Sequence, residues 1–368
     1  MPSWSTPDIL SLLFRRGITH AMVIHAIEHD ASLDAALARL RPTTPMFDDE
    51  EGAVRQLVDV QLVKCAAQHV DIIPWNDPRY PQRLRQITYP PAVLYVRGTL
   101  PDEQRQHIAV VGTRRCTQDY GRPVTRDLVR RWSQHGAVIV SGLAVGIDMV
   151  AHQTTCDVGG TTIAVIASGI DLLGPAEAAR MGERIVDNGG CIVSEIRCGQ
   201  IAMAPFFPQR NRIISGMSDD VVLIESNRTG GAMITAEFAR DQTRRLWAVP
   251  GPITSTRSAG PNALISAGRA NLLTDARQCM RQREESGESS GIPSHNIHGG
   301  TEHEHRLMQA LNDGPASLDA LCAATGLGVG VVSASLLQLQ ARESVRALPG
   351  GRYAIFAPCP LPPAKKNM

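Results

Sequence analysis

The hydrophobic positions of this chain change period along its length. Apolar residues recur at helical spacing from Asp8 to Arg15, from Ala21 to His29, from Ser32 to about Leu40, and from Glu50 to Gln68. Gly17, Pro42 and Pro45 punctuate these segments. From Ala92 onward the pattern becomes one of short, β-branched runs at 92–96, 108–111, 137–140, 162–166, 191–194, 220–224 and 246–249. Candidate helices lie among them at 119–134, 145–156, 175–188, 230–242 and part of 261–268. This alternation predicts an open, largely parallel α/β sheet, covered on both faces, with its sites at the carboxyl ends of the strands.

The pattern fades after Met280. Residues 281–301 are polar, carry Gly and Ser and show no apolar period, which reads as a linker. Helical spacing returns around His305–Leu311, Ser317–Ala323 and Val331–Gln340, and VRALPGGRYAIF follows as a two-stranded wing. The expected organisation is a helical domain of the SAM or helix-hairpin-helix kind at 1–76, a Rossmann-like core at 77–280, the linker, and a small winged-helix-like domain at 302–357. Arg342, Arg346 and Arg352 can meet phosphates in that last module, whereas Glu302, Glu304 and Asp313 surround its first helix. Contact with DNA and contact with protein both stay open for it.

Composition sharpens this picture only in part. A net charge of +1 on 368 residues does not mark a nucleic-acid binder in bulk. Lysine occurs only at Lys64, Lys365 and Lys366, so nearly every cation is a planar, bidentate arginine fork. Aromatics make up 4%, too few for an extended stacking platform. The eight cysteines form no CxxC pair, and reduced thiols in a cytoplasmic protein are expected. No apolar run reaches membrane-spanning length, so no membrane insertion is expected.

Candidate chemistry gathers in four loops. In the first, Gly112 ends a strand and Arg114 and Arg115 follow, placed either to hold an anion or to stand as a solvated charge pair. In the second, Ser141, Gly142 and Gly146 allow close backbone approach and phosphate hydrogen bonds, and Asp148 and His152 are spaced to pair on one helical turn. The third, Phe206-Phe207-Pro208-Gln209-Arg210-Asn211-Arg212, sets aromatics beside arginines. In an extended chain Arg210 and Arg212 would share a face and track a nucleic-acid backbone, while either Phe can instead be core. In the fourth, Gly230 and Gly231 open a helix after a strand and offer a second anion site, with Val249-Pro250-Gly251 at the rim. Neither GxGxxG nor GxxxxGK[ST] is present, and no ligand spacing suggests a metal. The reading from residues is anion binding without cofactor or catalysis.

Taken in order, DPRYPQRLRQITYPPAVLYVRG, VVGTRRCT, SGLAVGIDMVAH, TIAVIASGID, FPQRNRIISG, ESNRTGGAMITA and AVPGP span roughly residues 77–275 and resemble the DprA/Smf family of DNA-processing proteins. The resemblance implies a non-enzymatic, dimeric protein that binds and protects incoming single-stranded DNA and loads the recombinase RecA onto it during natural transformation. It assigns DNA contacts to Arg114, Ser141, Gly142, Phe207, Arg210, Asn211 and Arg212. The chain departs from the family pattern after SGID, where LLGPAE replaces a Tyr-Pro segment, and at TGGAMIT, Gly260-Pro261-Asn262 and Glu343-Ser344. A second resemblance is to phosphoribohydrolases of the lysine-decarboxylase-like group, whose GG-x-G-T-x-x-E loop is partly echoed by Gly230, Gly231 and Glu237. A third possibility is a RecA-interaction scaffold with secondary DNA contact.

Overall fold

In the computed structural model, which describes residues 4–40, 50–280, 302–311, 316–341, 345–348 and 352–355, the chain divides into two compact units, Met1–Arg283 and Glu284–Met368. The first unit opens with α1 (Thr6–Leu13), α2 (His20–His29), α3 (Leu33–Leu40) and α4 (Glu50–Ala67). Ser5 and Asp8 cap α1 reciprocally, side chain to backbone in both directions, and Thr19 caps α2 by accepting from the Met22 amide at 3.3 Å. There follow β1 (Val70–Pro74), α5 (Gln82–Arg85), β2 (Val93–Gly98), β3 (His107–Val111), α6 (Gly121–Gln134), β4 (Val138–Ser141) and α7 (Ile147–Asp157). Next come β5 (Thr162–Ile166), α8 (Ala176–Asp187), β6 (Cys191–Ser194), α9 (Phe206–Gly216), β7 (Asp220–Leu223), α10 (Gly231–Asp241), β8 (Arg245–Ala248), α11 (Ala259–Ser266) and β9 (Asn271–Leu272).

Among the described residues these strands form one sheet in the order β1-β2-β6-β5-β4-β3-β7-β8-β9. Pairing is parallel from β6 through β9, while β1 and β2 add antiparallel strands at one edge. The period-2 alternation assigns side chains to faces. Leu94, Ala109, Val140, Val165, Val193 and Leu223 enter one apolar layer. On the other face Ile108, Ile139 and Val222 pack with Val129, Trp132 and Ile147. Val93, Tyr95, Ala164 and Ile192 continue that face as the floor for α1, α2 and α4.

β1 lies before the domain boundary expected at residue 76, so the sheet reaches back into the helical segment. The helices pack on it through Ile9, Leu12, Val54 and Val58, which share a layer with Val93 and Tyr95. Among the described residues the cysteines are free thiols, with Cys65 and Cys198 Sγ atoms 3.7 Å apart.

A second departure matters more for function. Phe206–Gly216, read as extended chain, is the helix α9. Pro208 fits its first turn, where backbone N–H groups lack helical partners anyway. The buried stripe of α9 is Arg210, Ile213 and Ile214, continued by Met217. An arginine occupies the first place of a core-facing i, i+3, i+4, i+7 series, which disguises the helix in sequence. Arg210 and Arg212 therefore point to different sides, since residues two apart do not face one way on a helix.

Strand order reverses at β3. The chain runs outward from it through β4, β5 and β6, then returns to its other side with β7, β8 and β9. The loops leaving β3 and β7 part in opposite directions there and open a crevice at the strands' carboxyl ends.

The second unit contains α12 (Glu302–Leu311), β10 (Ala316–Ser317), α13 (Leu318–Thr325), α14 (Val329–Ala341), β11 (Val345–Leu348) and β12 (Arg352–Ile355). Its small sheet runs β10-β12-β11, and Leu307, Leu321, Leu336 and Val345 form its core. This is the expected winged-helix arrangement, with β10 as a strand the sequence pattern had not suggested. Gly326 ends α13 at a φ of 68°. Residues 281–301, Arg342, Asp313 and Glu343-Ser344 lie outside the described residues.

Leu94 tests how far the added antiparallel edge holds the sheet. It is fully buried on β2, so Leu94→Ala is expected to lower unfolding free energy by about 2–5 kcal/mol. The check is the denaturant midpoint at unchanged m-value.

Candidate nucleic-acid interface

The crevice at the β3/β7 switch point holds a cavity of about 400 Å³. Its walls come from Thr113, Arg114 and Arg115 after β3, Ser226 and Asn227 after β7, Gly230, Gly231 and Thr235 of α10, and Phe207, Arg210 and Asn211 of α9. Two backbone bonds fix the β3 loop to its neighbour: the Thr113 amide donates to Glu225 O at 2.8 Å, and the Ile224 amide to Val111 O at 3.1 Å. Beneath it the buried Glu225 carboxylate accepts from Thr117 N at 2.9 Å and Thr117 Oγ1 at 2.7 Å. The chain therefore presents Arg114 and Arg115 from a pinned turn. Arg114 is exposed and makes no ion pair among the described residues; its guanidinium sits 5.5 Å from the centroid of the Phe207 ring. Phe207 is 36% exposed at that edge.

Arg210 forms the cavity floor. Only 8% exposed, it donates from Nη1 to Gly142 O at 2.7 Å and to Val165 O, and from Nε to Asn211 Oδ1 at 3.3 Å. Asp148, equally buried, supplies the nearby countercharge. Burial pushes the Asp148 carboxyl up to about 6 against the pull of Arg210. Burial likewise brings Arg210 down to about 10, with Asp148 opposing and Arg114 adding to the fall. Both groups are ionised at pH 7. Gly142 is required where they meet, because a Cβ there would lie 2.7 Å from Asp148 Oδ2 and 2.8 Å from Arg210 Nη1.

Of the helix starts expected to hold anions, two are already occupied. At α6 the Gly121 amide donates to Thr117 Oγ1 at 2.7 Å. At α7 the Ile147 amide donates to Thr113 O at 3.3 Å. Gly146, at a φ of 93°, brings that helix so close that a Cβ would lie 2.7 Å from Arg114 Cα. Its role is to seat the Arg114 loop. At α10 the Met233 amide turns back to Gly230 O at 2.9 Å, while Gly231 is exposed and the first turn borders the cavity. The amide end available to an anion is this one.

Several sequence-predicted residues thus change role. Ser141 is fully buried at the end of β4, and its hydroxyl donates to Val110 O at 2.6 Å, which ties β4 to β3 beneath the crevice. Arg212 leaves the cavity, pairs with Glu195, and faces a different cavity near α1 and α2. Asp148 and His152 do not pair. His152 Nδ1 lies 2.8 Å from Thr162 Oγ1, whose own hydrogen goes to Ile139 O at 2.7 Å, so His152 donates from Nδ1 and keeps Nε2 bare. Pro250 accepts from the Tyr120 hydroxyl and lines a separate cleft, not the rim of this one. Glu237 is exposed on α10 and outside the cavity lining, which removes the acid that the phosphoribohydrolase resemblance needs. Arg114, Arg115, Phe207, Arg210, Asn211, Gly230 and Gly231 do meet at one site. Thr113, Ser226 and Asn227 join them; their signal was position, in the turns after the two strands that flank the reversal.

A Rossmann-like sheet whose switch point gathers guanidinium groups and an uncapped helix end, with Asp148 the carboxylate among the cavity residues, is an anion-binding scaffold. Among the described residues no cluster of three or more His, Cys, Asp or Glu is placed to hold a metal, and no single helix is long and apolar enough to cross a membrane. The sequence model described as DNA recombination-mediator protein A matches residues 71–284, and that of the DprA winged helix domain matches 293–351. The chain belongs to the DNA recombination-mediator protein A (DprA/Smf) family. Protein Smf of Escherichia coli is 32% identical over 316 residues, 83% of each chain. DNA processing protein DprA of Streptococcus pneumoniae is 36% identical over 277 residues, 74% of this chain and 96% of that one. The X-ray structure of DprA from Streptococcus pneumoniae superposes with a TM-score of 0.64 at 28% identity, covering 75% of this chain and 97% of the other. DNA processing protein A of Helicobacter pylori, described for its single-stranded DNA binding mode, gives 0.50 at 26% identity over 57% and 93%.

The tautomer of His152 has a measurable consequence. Burial, then the Arg210 charge, brings its pKa down to about 3 from 6.5. A depressed histidine stabilises the fold fully above about 6.5, and this contribution is lost as pH falls toward 3, because the unfolded chain takes the proton first. Unfolding free energy is expected to fall more steeply from pH 6.5 to 4 in the wild type than in His152→Gln. Urea titrations across that range measure the difference in slope.

Proposed function

We propose that this protein binds single-stranded DNA without sequence preference, shields it, and delivers it to the recombinase RecA during DNA uptake, acting as a cytoplasmic homodimer. The observation that carries the reading is Arg114: an exposed guanidinium with no ion pair among the described residues, seated against Phe207 above a floor made by Arg210 and the α10 amide end. Such a site offers a phosphate charge, directed donors and a ring for a base. It has few means to tell one base from another. The family membership and the relatives' DNA-processing names support the same reading. The RecA partnership and the dimer rest on the family resemblance, the cytoplasmic setting on cysteines without a CxxC pair and the lack of a membrane-length apolar run, and the winged-helix unit is left open between DNA and protein contact.

Arg114→Ala is expected to weaken binding to every single-stranded sequence alike and to reduce the slope of log affinity against log salt by about 1. Fluorescence anisotropy with poly-dT and mixed-sequence oligonucleotides at several salt concentrations checks both. Unchanged affinity at moderate salt would remove this cavity from the binding site.

The Asp148–Arg210 pair adds a pH dependence. With its pKa raised to about 6, Asp148 is ionised at pH 7 and takes up a proton as pH falls through 6, leaving the floor one unit more positive. Its own stability contribution has the sign of a raised group, fully present below the ordinary carboxyl value and lost as pH rises through about 6. DNA affinity is expected to increase between pH 7 and pH 5.5 in the wild type, and to vary less in Asp148→Asn. Binding isotherms at fixed ionic strength decide it.

A further inference from the structure

Cys65 and Cys198 stand 133 residues apart in sequence, yet their Sγ atoms meet at 3.7 Å, a separation that leaves no room for an atom between them. Both are almost out of water, at 2% and 4% exposure. Cys65 lies in the last turn of α4, and Cys198 in the connection from β6 to α9. One helical turn before Cys65, the buried Gln61 fixes the meeting. With its amide oriented to satisfy both groups, Gln61 donates to Cys198 O at 3.3 Å and accepts from Cys198 N at 3.0 Å. Gln61 thus holds the backbone of Cys198, while Cys65, four residues on and on the same face of α4, meets its thiol. The Gly199 amide donates to Asp171 Oδ1 at 2.8 Å, which pins the connection from its other side. The sulfurs are brought together by a buried polar clamp.

The seam that this contact spans is incompletely filled. A cavity of about 910 Å³ lies between Leu13, Phe14 and Ile18 of the helical segment and Glu195, Arg197 and Phe206 of the core. Tyr95 lines it too, and stands close enough to both sulfurs for a thiolate charge to act on its hydroxyl. A molecule as small as hydrogen peroxide therefore has a route toward the pair. We propose that Cys65 and Cys198 form a dithiol–disulfide site, a covalent latch that a hydroperoxide closes between the helical segment and the sheet core. The resting state is the dithiol. A thiolate attacks one peroxide oxygen, the O–O bond breaks, and the leaving hydroxide takes up a proton to become water. The second sulfur, losing its own proton, attacks the resulting sulfenic acid; the S–S bond forms, the S–O bond breaks and a second water leaves. The two thiols give up two electrons, and one peroxide is reduced to two waters. Cys65 attacks first, because the Cys198 S–H hydrogen-bonds its thiolate and holds its pKa below the ordinary thiol value. Closing from contact to bond length asks for a shift of roughly 1.6 Å, shared between two side chains. Once closed, the bond ties α4 to the connection that delivers α9, and the helical segment cannot lift from the core by itself. The latch does not depend on the single-strand reading.

The test treats the full chain with hydrogen peroxide, blocks remaining thiols with iodoacetamide and maps peptides by mass spectrometry without reduction. The folded wild type is expected to yield a Cys65–Cys198 linked peptide that dithiothreitol removes. Its unfolding equilibrium constant in urea is expected to fall about 100-fold on treatment, as a cross-link closing a long loop gives. Cys65→Ser and Cys198→Ala, with folding checked by circular dichroism, are expected to gain no stability on treatment. Absence of the linked peptide from treated, folded wild type would overturn the latch, whether the two thiols stay reduced or are oxidised separately. Its formation only in urea would do the same, since the folded seam would then have no part in joining the sulfurs. A linked peptide without a stability gain would show a cross-link that holds nothing, and an equal gain in either variant would assign the gain to another oxidation. Both results sink the latch.

Discussion

The site depends on one charge held where charges are costly. Arg210 enters from the core-facing stripe of α9 and is nine-tenths buried, at a place where its neighbours in that stripe are Ile213 and Ile214. An isolated guanidinium would not remain there. It remains because Gly142 O, Val165 O, Asn211 Oδ1 and the Asp148 carboxylate surround it. Those partners come from α9, from the ends of β4 and β5, and from α7, so satisfying one side chain fixes four elements relative to each other. Replacing such a pair by apolar residues often costs little stability. Its value here is therefore positional. Arg210 holds the floor rigid so that Arg114, on the loop above, can stay solvated and free to meet an anion.

That division of labour explains why the overall charge balance was uninformative. The +1 net charge averages over the whole chain, including arginines committed to ion pairs outside the crevice. Arg83 is bound to Asp219 through Nε and Nη2, each at 2.9 Å, Arg212 to Glu195, and Arg245 to Asp220 at 2.8 Å. Each ties strands or helices together within the sheet region. Arg114 and Arg115 are exposed at the crevice, with no ion pair among the described residues. A local excess at the switch point, rather than a basic protein, is what a phosphate would encounter.

Much of this was legible in the sequence, and the failures have physical causes. Seven of the large sheet's nine strands were readable, β2 through β8, because strands buried on both faces become short continuous apolar runs, and their ends fall within a residue or two of the expected ones; the edge strands β1 and β9 were not. The glycines were readable because close approach leaves no room for Cβ. Gly146 against the Arg114 loop and Gly142 against Asp148 and Arg210 both bear this out. α9 was not readable, because a charged residue in the buried stripe breaks the pattern by which helices are recognised. The direction of the Ser141 hydroxyl was not readable, because a strand's last residue and a loop's first residue look alike in sequence. Strand alternation sends its hydroxyl to Val110 O instead of into the crevice. The pairing of Asp148 with His152 was a helical-spacing inference that tertiary partners overrode, Arg210 claiming one side chain and Thr162 the other.

The same geometry separates this scaffold from nucleotide enzymes that use similar sheets. In a dinucleotide or P-loop site the helix after the first strand turns its free amide end toward the phosphates. Here the corresponding helix, α6, is closed by Thr117, itself held by Glu225, and the next, α7, is closed by Thr113 O. The open amide end has moved to α10, across the crevice, and the first loop contributes an exposed cation in place of a ring of N–H groups. A ring of fixed amides fits one phosphate group of one ligand. A solvated arginine facing an open helix end accepts a phosphate that is one of many on a passing chain. That is the tolerance a sequence-independent single-strand binder requires.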